Sequence, residues 1–332
     1  MKRTIEYLKA SMLAGAIGDA WGWPIEFQTV EEINSKYGRL GLTKLIKNTY
    51  GIVEITDDTQ MTLFTLEGIT NFLYLKKYAS LHESIYQSYL RWYKTQSERF
   101  QSIPSTAFDL MSYRELFFQR APGITCKNAL ASGIMGTTAK PINDSKGCGG
   151  VMRVAPMGFF FDADQAFDHG CSSAAITHGH PLGYLSAGAM AYLTSKIFEG
   201  TDLRECVLQT IGKLEMNDSA QRLVTLLKSA VQLSGSDQND IRCIRQLGEG
   251  WVAEEALAIG IYCSLKYPSD LQKALAVSVN HDGDSDSTGS ITGNILGAYL
   301  GMDAINKQWL EFLEVTKIVM DFCNFIEHHD KS

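Results

Sequence analysis

The sequence has no paired cysteine motif, no run of basic residues and no long uncharged apolar segment. Its seven cysteines are scattered and none is spaced as CxxC, which is typical of reduced thiols in the cytosol. The net charge of −7 at pH 7 argues against a nucleic-acid-binding surface. No stretch approaches the roughly 18 uncharged apolar residues that a membrane span needs. We therefore expect a soluble, cytoplasmic protein that binds neither nucleic acid nor membrane.

The first residues combine basic side chains with a small apolar run, as secretory signals do. Glu6 and Lys9 interrupt the run and leave only Ser11 to Ile17 before Asp19. Because that stretch is too short for a signal core, we expect no cleaved signal there.

Patterns typical of β-strands are nearly absent as well. Apolar residues instead recur at helical spacing over residues 4–22 and through most of the second half of the chain. Two more helices are predicted over 81–96 and 106–119, separated at Pro104. A chain of 332 residues with 45% hydrophobic composition can bury a large core, and no linker or repeat divides it. We predict an all-α fold, as a single compact multi-helix domain over residues 1–332.

What the sequence does have is a concentration of acidic and hydroxyl side chains in residues 280–301. Asp282, Asp284 and Asp286 fall within five residues, and three hydroxyls lie between 285 and 288. Carboxylates this close repel one another unless a cation neutralises them, and hard oxygen donors suit a divalent metal. The alternative is a solvated acidic turn or a helix N-cap.

A calcium EF-hand also places aspartates at alternate positions, but this stretch departs from it twice. The sixth loop position is Ser287 instead of glycine, and the twelfth is Gly293 instead of glutamate. These are the two diagnostic positions, so the EF-hand is excluded.

Four glycines follow the acidic residues at a strict spacing of four. Each glycine inside a helix costs about 1 kcal/mol relative to alanine, so this pattern requires a compensating gain. A smooth helix face that lets a neighbouring helix approach almost backbone to backbone would provide it. The glycines are residues 289, 293, 297 and 301.

A second acidic cluster lies near the other end of the sequence. Thr56, Asp57, Asp58 and Thr59 immediately precede a strong helical pattern. Capping explains one such residue but not two adjacent carboxylates between two threonines. The two clusters, each at a helix N-terminus, could converge on one metal site of aspartate and hydroxyl oxygens.

Between these clusters and the first helix lies a short loop, WGWPIEF. Its acidic residue, Glu26, stands beside bulky neighbours in a segment that proline keeps from being helical. We mark Glu26 as a candidate site residue. Trp21 and Trp23 are expected to pack in the core or loop, with a platform for a flat ligand as the alternative.

A glycine-rich turn, SKGCGG, offers backbone N–H groups that could hold an anion. Gly147, Gly149 and Gly150 follow Ser145 and Lys146, but the motif lacks both the GK[ST] tail of a P-loop and GxGxxG spacing. A phosphate or ribose cradle and a plain tight turn are both consistent with it.

Histidines and cysteines farther along raise the alternative of a zinc site. Their spacings match no common zinc pattern, so each histidine is expected to be a core or capping residue. The residues concerned are Cys148, His169, Cys171, His178 and His180.

Seven motifs together carry a family resemblance. Residues from about 10 to 301 resemble the ADP-ribosylglycohydrolase family through, in order, GDAWGWPIEF, TDDTQMT, RAPGIT, GCGGVMRVAPMGF, THGHP, GWVAEEALA and NHDGDSDSTGSITGNILGAYLG. The resemblance implies a compact all-α fold. It also implies two Mg²⁺ or Mn²⁺ ions that grip the distal ribose of ADP-ribose.

The resemblance also assigns roles to individual residues. Glu26, Asp57, Asp58 and Asp286 are the expected catalytic carboxylates, with Glu26 near the metals. The expected metal ligands are Thr56, Asp57, Asp58, Asp284, Asp286 and Ser287. The expected substrate-binding residues are Ser145, Gly147, Gly149 and Gly150 around the pyrophosphate, His178 near the distal ribose, and Cys148.

Two positions depart from the family pattern. Cys148 stands where several relatives have asparagine, which could change contacts to phosphate or ribose. Asp282 replaces a glycine, and its charge either tunes metal affinity or points to solvent. Neither departure removes an expected ligand.

The sequence therefore predicts a metal-dependent hydrolase that removes ADP-ribose from a modified acceptor, with ADP-ribosylarginine on a protein as the leading substrate. The open alternatives are serine-linked or small-molecule ADP-ribosyl conjugates, a non-catalytic ADP-ribose-binding relative, and a metal-dependent phosphohydrolase. The reaction products distinguish these classes. An ADP-ribosyl hydrolase releases free ADP-ribose, a phosphohydrolase releases AMP, and a non-catalytic relative releases neither.

Overall fold

The computed structural model describes residues 2–102 and 108–330, which form sixteen α-helices joined by short turns. In order they are α1 (Ile5–Gly22), α2 (Val30–Tyr37), α3 (Asp57–Leu73), α4 (Leu81–Thr95), α5 (Ile124–Ala131), α6 (Met157–Phe160), α7 (Ala163–Ala175), α8 (Pro181–Glu199), α9 (Leu203–Leu214), α10 (Gln221–Ser234), α11 (Asp240–Leu247), α12 (Ala253–Lys266), α13 (Leu271–Val279), α14 (Ser285–Leu300), α15 (Lys307–Leu310) and α16 (Thr316–Asp330).

Extended pairing is confined to two isolated bridges within these residues. One joins Val53 to Leu313 and the other joins Gly147 to Val252. The predicted all-α class is confirmed. Buried side chains from Leu8 to Ile326 form one connected hydrophobic core, while the prediction of a single domain over residues 1–332 stays a prediction.

The central feature of the fold is the pairing of α1 with α14. An added Cβ on Gly293 would lie 2.0 Å from the carbonyl oxygen of Ala14, and one on Gly297 would lie 2.3 Å from that of Ala10. The backbones are therefore in direct contact, as the glycine spacing predicts. Gly301 differs from the other three, because it ends α14 with a φ of +81°.

One helix prediction is wrong. Pro104 and residues 106 and 107 lie outside the described residues, and the segment from 108 onward forms two 3-10 helices, Leu110–Ser112 and Arg114–Phe117. The side chain of Asp109 accepts a hydrogen bond from the Met111 N–H at 2.9 Å. Such a local bond competes with the helical pattern and starts the tighter turn.

The paired helices bring distant acidic residues to one place. Helix α14 begins beside the end of α1, where a Cβ on Gly22 would meet the backbone of Ser285 at 2.3 Å. Helix α3 begins beside the same end, because Thr56 N–H bonds to Asp19 of α1. Among the described residues, none of the helices combines the length and apolarity required to cross a membrane; a cytoplasmic location stays a prediction.

Candidate active site

A cavity of about 320 Å³ lies where α1, α3 and α14 meet the loops around residues 25, 123 and 148. All but three of the predicted site residues line it, so the structure brings together Glu26, Asp57, Asp58, Gly147, Cys148, Gly149, His178, Asp284, Asp286 and Ser287. Their roles in metal binding, substrate binding and catalysis stay predictions.

The other three predicted residues are not among those that line the cavity. The buried Thr56 caps α3, and its hydroxyl accepts the Asp58 N–H at 3.3 Å. Ser145 accepts the Gly147 N–H at 3.3 Å, which supports the glycine turn from outside. Gly150 packs on α7, where a Cβ would lie 2.9 Å from that of Ala174.

Burial and neighbouring carboxylates raise the pKa of four carboxyl groups in the cavity. Burial, followed by the charges of Asp284 and Asp57, raises the pKa of Glu26 to about 8. Burial is also the main cause that raises the pKa of Asp57 to about 7. The pKa values of Asp58 and Asp286 lie well above their usual range, through burial and then neighbouring carboxylates. Without a cation, ionising all of these groups together is therefore unfavourable.

Two oxygens in this group also lack a hydrogen-bond partner. Oε2 of Glu26 and Oδ2 of Asp58 are buried and unpartnered. Buried polar atoms are normally satisfied, so unpaired acceptors beside mutually repelling carboxyls fit a divalent cation. Four carboxylates and the hydroxyls of Thr56 and Ser287 are the donor set that hard cations prefer.

The acidic side chains around the cavity are nevertheless spread apart. Over residues 2–102 and 108–330, no three His, Cys, Asp or Glu side chains form a compact group that would hold an ion. A metal site here would therefore depend on hydroxyls and on the approach of opposing carboxylates. Thr56 and Ser287 belong to none of these four residue types, so their hydroxyls would add to the carboxylate oxygens around a cation.

Cys148 joins the acidic cluster directly. Its Sγ donates a hydrogen bond to Oδ2 of Asp284 at 2.8 Å, and Oγ of Ser287 donates to Sγ at 3.5 Å. Burial and the neighbouring Asp284 raise the pKa of the thiol well above its usual range. The thiol at this departure from the family pattern therefore contacts two predicted metal ligands.

The second departure, Asp282, lies elsewhere. Its Oδ1 accepts the N–H of Val30 at the start of α2 at 2.8 Å, and its Oδ2 accepts Nε of Arg245 at 2.7 Å. Burial alone would raise the pKa of Asp282, but the bonds from Arg245 and Val30 bring it below the usual value. This carboxylate bonds the start of α2 and pairs with Arg245, and it is not among the residues that line the cavity.

Sequence reasoning missed Asp19, which holds the start of α3 in place beside the cavity through hydrogen bonds. It is fully buried in α1 and accepts the N–H of Thr56 at both oxygens, at 2.9 and 3.0 Å, and that of Thr59 at 3.1 Å. The Thr59 hydroxyl also donates to it. The signal available in the sequence was a single carboxylate within the apolar, small-residue part of α1, at residues 10–22.

The mouth of the cavity also holds residues that sequence reasoning did not assign. Phe27 is 70% exposed, has a φ of +66°, and stacks on Trp251 with ring centroids 5.0 Å apart. A non-glycine residue with positive φ is strained, which is common in functional loops. Opposite them, the Gly123 N–H donates to Oδ2 of Asp57 at 3.1 Å.

The structure also shows which role Trp21 and His180 have among the alternatives that the sequence left open. Trp21 is buried, donates to the carbonyl of Leu42 and meets Trp309 edge to face, so it is a core residue. His180 caps α8 by accepting the Leu182 N–H at 3.0 Å. The described residues contain no zinc-type group.

Comparison with known proteins agrees with this fold. A family model described as ADP-ribosylglycohydrolase matches residues 2–330, and the chain belongs to this family of hydrolases. A solved structure titled ADP-ribosylglycohydrolase-related protein complex superposes with a TM-score of 0.57 at 18% identity, covering 99% of each chain. That likeness concerns the fold alone.

Two curated relatives carry names that describe an activity. ADP-ribosyl-[dinitrogen reductase] glycohydrolase of Rhodospirillum rubrum is 24% identical and covers 92% of this chain and 89% of its own length. Human ADP-ribosylhydrolase ARH3 is 29% identical, but the match covers 51% of this chain and 54% of the human protein. This chain thus aligns with about half of the human relative.

Proposed function

We propose that this protein is a metal-dependent hydrolase that releases ADP-ribose from an ADP-ribosylated arginine of a protein. The supporting observation is the charge of the cavity: five carboxyl groups line it, and none of its described lining residues is Lys or Arg. Such a cavity disfavours a pyrophosphate unless divalent cations are present. It also suits a cationic guanidinium as the acceptor group.

Two Mg²⁺ or Mn²⁺ ions would be held by Thr56, Asp57 and Asp58 from α3 and by Asp284, Asp286 and Ser287 from α14. When bound, the ions would supply positive charge that orients the ribose hydroxyls and acidifies a nearby water molecule. The glycine turn would contribute backbone N–H groups to the pyrophosphate, with Cys148 at its edge.

The chemistry assigned to the chain is proton transfer and charge stabilisation. The carbon–nitrogen bond would break, with its electron pair on the guanidine nitrogen, as the oxygen of a water molecule bonds to the anomeric carbon. Glu26 would accept a proton from that water molecule and pass it to the guanidine nitrogen. The pKa of about 8 applies to Glu26 without bound cations, and the cations would favour its ionised, proton-accepting form. The remaining carboxylates would stabilise the oxocarbenium-like transition state.

The test is mass spectrometry of products from arginine-, serine- and glutamate-linked ADP-ribosyl peptides, each with Mg²⁺, with Mn²⁺ and with a chelator. We expect free ADP-ribose from the arginine-linked peptide, only with metal, and none from the Asp286→Ala variant. Release from the serine-linked peptide alone would overturn the acceptor assignment. Release of AMP would indicate a phosphohydrolase, and binding without any product would indicate a non-catalytic relative.

A further inference from the structure

Arg153 is an unusual residue for the interior, because it is fully buried without an ion pair in the part of the chain that the structure describes. Its guanidinium lies 4.2 Å from the ring centre of Tyr89. Nη2 donates to the carbonyl of Ser173 at 3.2 Å and to Oγ1 of Thr177 at 2.8 Å. Burying a cation without an acid partner is costly, so the position is expected to serve a function.

The contact with Thr177 continues to a cavity residue. Oγ1 of Thr177 lies 2.8 Å from Nδ1 of His178, and its other acceptor, the carbonyl of Ala174, is 3.5 Å away. Because a guanidinium can only donate, Thr177 accepts from Arg153 and keeps its own hydrogen for the nearer acceptor. Nδ1 is then an acceptor, which leaves the imidazole proton on Nε2.

The charge state of the ring agrees with this arrangement. Burial, followed by the positive charge of Arg153, lowers the pKa of His178 to about 3. The imidazole is therefore neutral across the physiological range. A neutral ring has one donor and one acceptor, so the hydroxyl at Nδ1 determines what Nε2 offers to the cavity.

Nε2 lies against the glycine turn. A Cβ on Gly149 would be 3.2 Å from this nitrogen, and one on Gly147 would be 3.4 Å from it. His178 and both glycines line the same cavity. A donor at this point would stand beside the backbone N–H groups predicted to face the pyrophosphate.

We propose that Arg153 and Thr177 are positioning residues that hold His178 with its proton on Nε2, ready to donate a hydrogen bond to an oxygen of bound ADP-ribose. The ligand in this inference rests on the proposed function, whereas the tautomer rests on the hydrogen-bond chain alone. Arg153 thus acts through the Thr177 hydroxyl, and the Thr177 hydroxyl acts on His178, which would contact the ligand.

The test is ¹⁵N NMR of the imidazole in the full-length protein with Mg²⁺, beside calorimetry with ADP-ribose. In the wild type we expect a protonated Nε2 and an unprotonated Nδ1. Thr177→Val should shift the tautomer and weaken ADP-ribose binding about tenfold, the scale of one lost hydrogen bond to a ligand. Thr177→Ser keeps the hydroxyl and should restore both values.

Thr210→Val is the matched control, because Thr210 is fully buried in α9 and bonds only within its helix, to the carbonyl of Cys206. It should change neither measurement. A wild-type proton on Nδ1, or a Thr177→Val protein with unchanged tautomer and affinity, would overturn the inference. Failure to hydrolyse any conjugate, with the expected tautomers and ADP-ribose binding, would overturn the proposed function and support the positioning role.

Discussion

Gly293 and Ala14 pack backbone against backbone, with only 2.0 Å between an added Cβ on the glycine and the alanine carbonyl oxygen. A side chain at residue 293 therefore has to separate α1 from α14. Because α14 begins beside the end of α1, next to the acidic cavity, separating the two helices would also misalign the acidic residues that they carry.

We expect Gly293→Ala to lower the free energy of unfolding by about 1 to 3 kcal/mol or more, through overpacking against fixed backbone. Gly212→Ala is the matched control, since Gly212 lies in α9 with nothing within 4 Å of its Cβ position. That change should stabilise the protein by up to about 1 kcal/mol through helix propensity. Urea unfolding measures both, and equal effects would contradict the packing argument.

A second prediction compares two aspartates close in sequence. Asp286→Ala removes a carboxylate from the cavity and should abolish Mn²⁺ binding and hydrolysis while leaving the fold intact. Asp282→Asn alters a carboxylate that bonds Val30 and Arg245 instead. It should leave the Mn²⁺ affinity within about threefold, because the ion pair between Asp282 and Arg245 lies near the surface and contributes little free energy. Calorimetry with Mn²⁺ decides, and a comparable loss in both variants would contradict the assignment of Asp286.

The third prediction concerns pH and metal together. The pKa values of Asp19, Asp57 and Glu26 are raised to about 6, 7 and 8, with burial as the main cause in each. Folding favours the protonated forms, so their stabilising contribution is full below about pH 4 and is lost as the pH rises through 6 to 8.

Metal-free protein should therefore lose roughly 3 °C or more in Tm between pH 5 and pH 8.5. Added Mg²⁺ or Mn²⁺ should reduce or reverse that loss, because the cations stabilise the ionised forms. Differential scanning fluorimetry with and without chelator measures it. The Asp286→Ala variant, which lacks one repelling carboxylate, should show a smaller slope; a Tm that rises with pH in chelator would refute the account.

The fourth prediction tests Glu26 as the proton acceptor. Glu26→Gln keeps the size of the side chain but removes its proton-accepting oxygen. We expect kcat to fall by roughly 10²-fold or more, the usual scale for loss of a general base. Binding of ADP-ribose, measured by calorimetry, should stay within a few-fold. If binding fell in parallel with turnover, or if neither fell, Glu26 would have only a structural role.

Local pattern was enough to predict part of the site. Thr56 and Asp284 each cap a helix beside further oxygen donors, and such clusters are visible in sequence because capping and metal binding both use short polar side chains. A close helix contact along α14 was likewise predictable from the regular glycine spacing, but the sequence did not identify α1 as the partner helix.

What the sequence did not reveal depends on partners far along the chain. Nothing near Asp282 indicates that it bonds Arg245 and Val30. The link from Arg153 to His178 joins two separate turns, the second of them between α7 and α8, so no spacing rule predicts it.

The wrong helix prediction has a local cause instead. The Asp109 side chain bonds the backbone of Met111, two residues on, and a 3-10 helix forms where apolar spacing favours an α-helix.

The contact between α1 and α14 also sets the order in which the protein can be completed during synthesis. Ser11 bonds the carbonyl of Asn294 across 283 residues of sequence. During synthesis, α1 therefore lacks its partner helix until the residues of α14, which ends at Leu300, have left the ribosome. Long-range contacts of this kind form slowly and expose apolar surface meanwhile. The acidic cavity, to which α14 contributes Asp286 and Ser287, is accordingly among the last parts of the described fold to assemble.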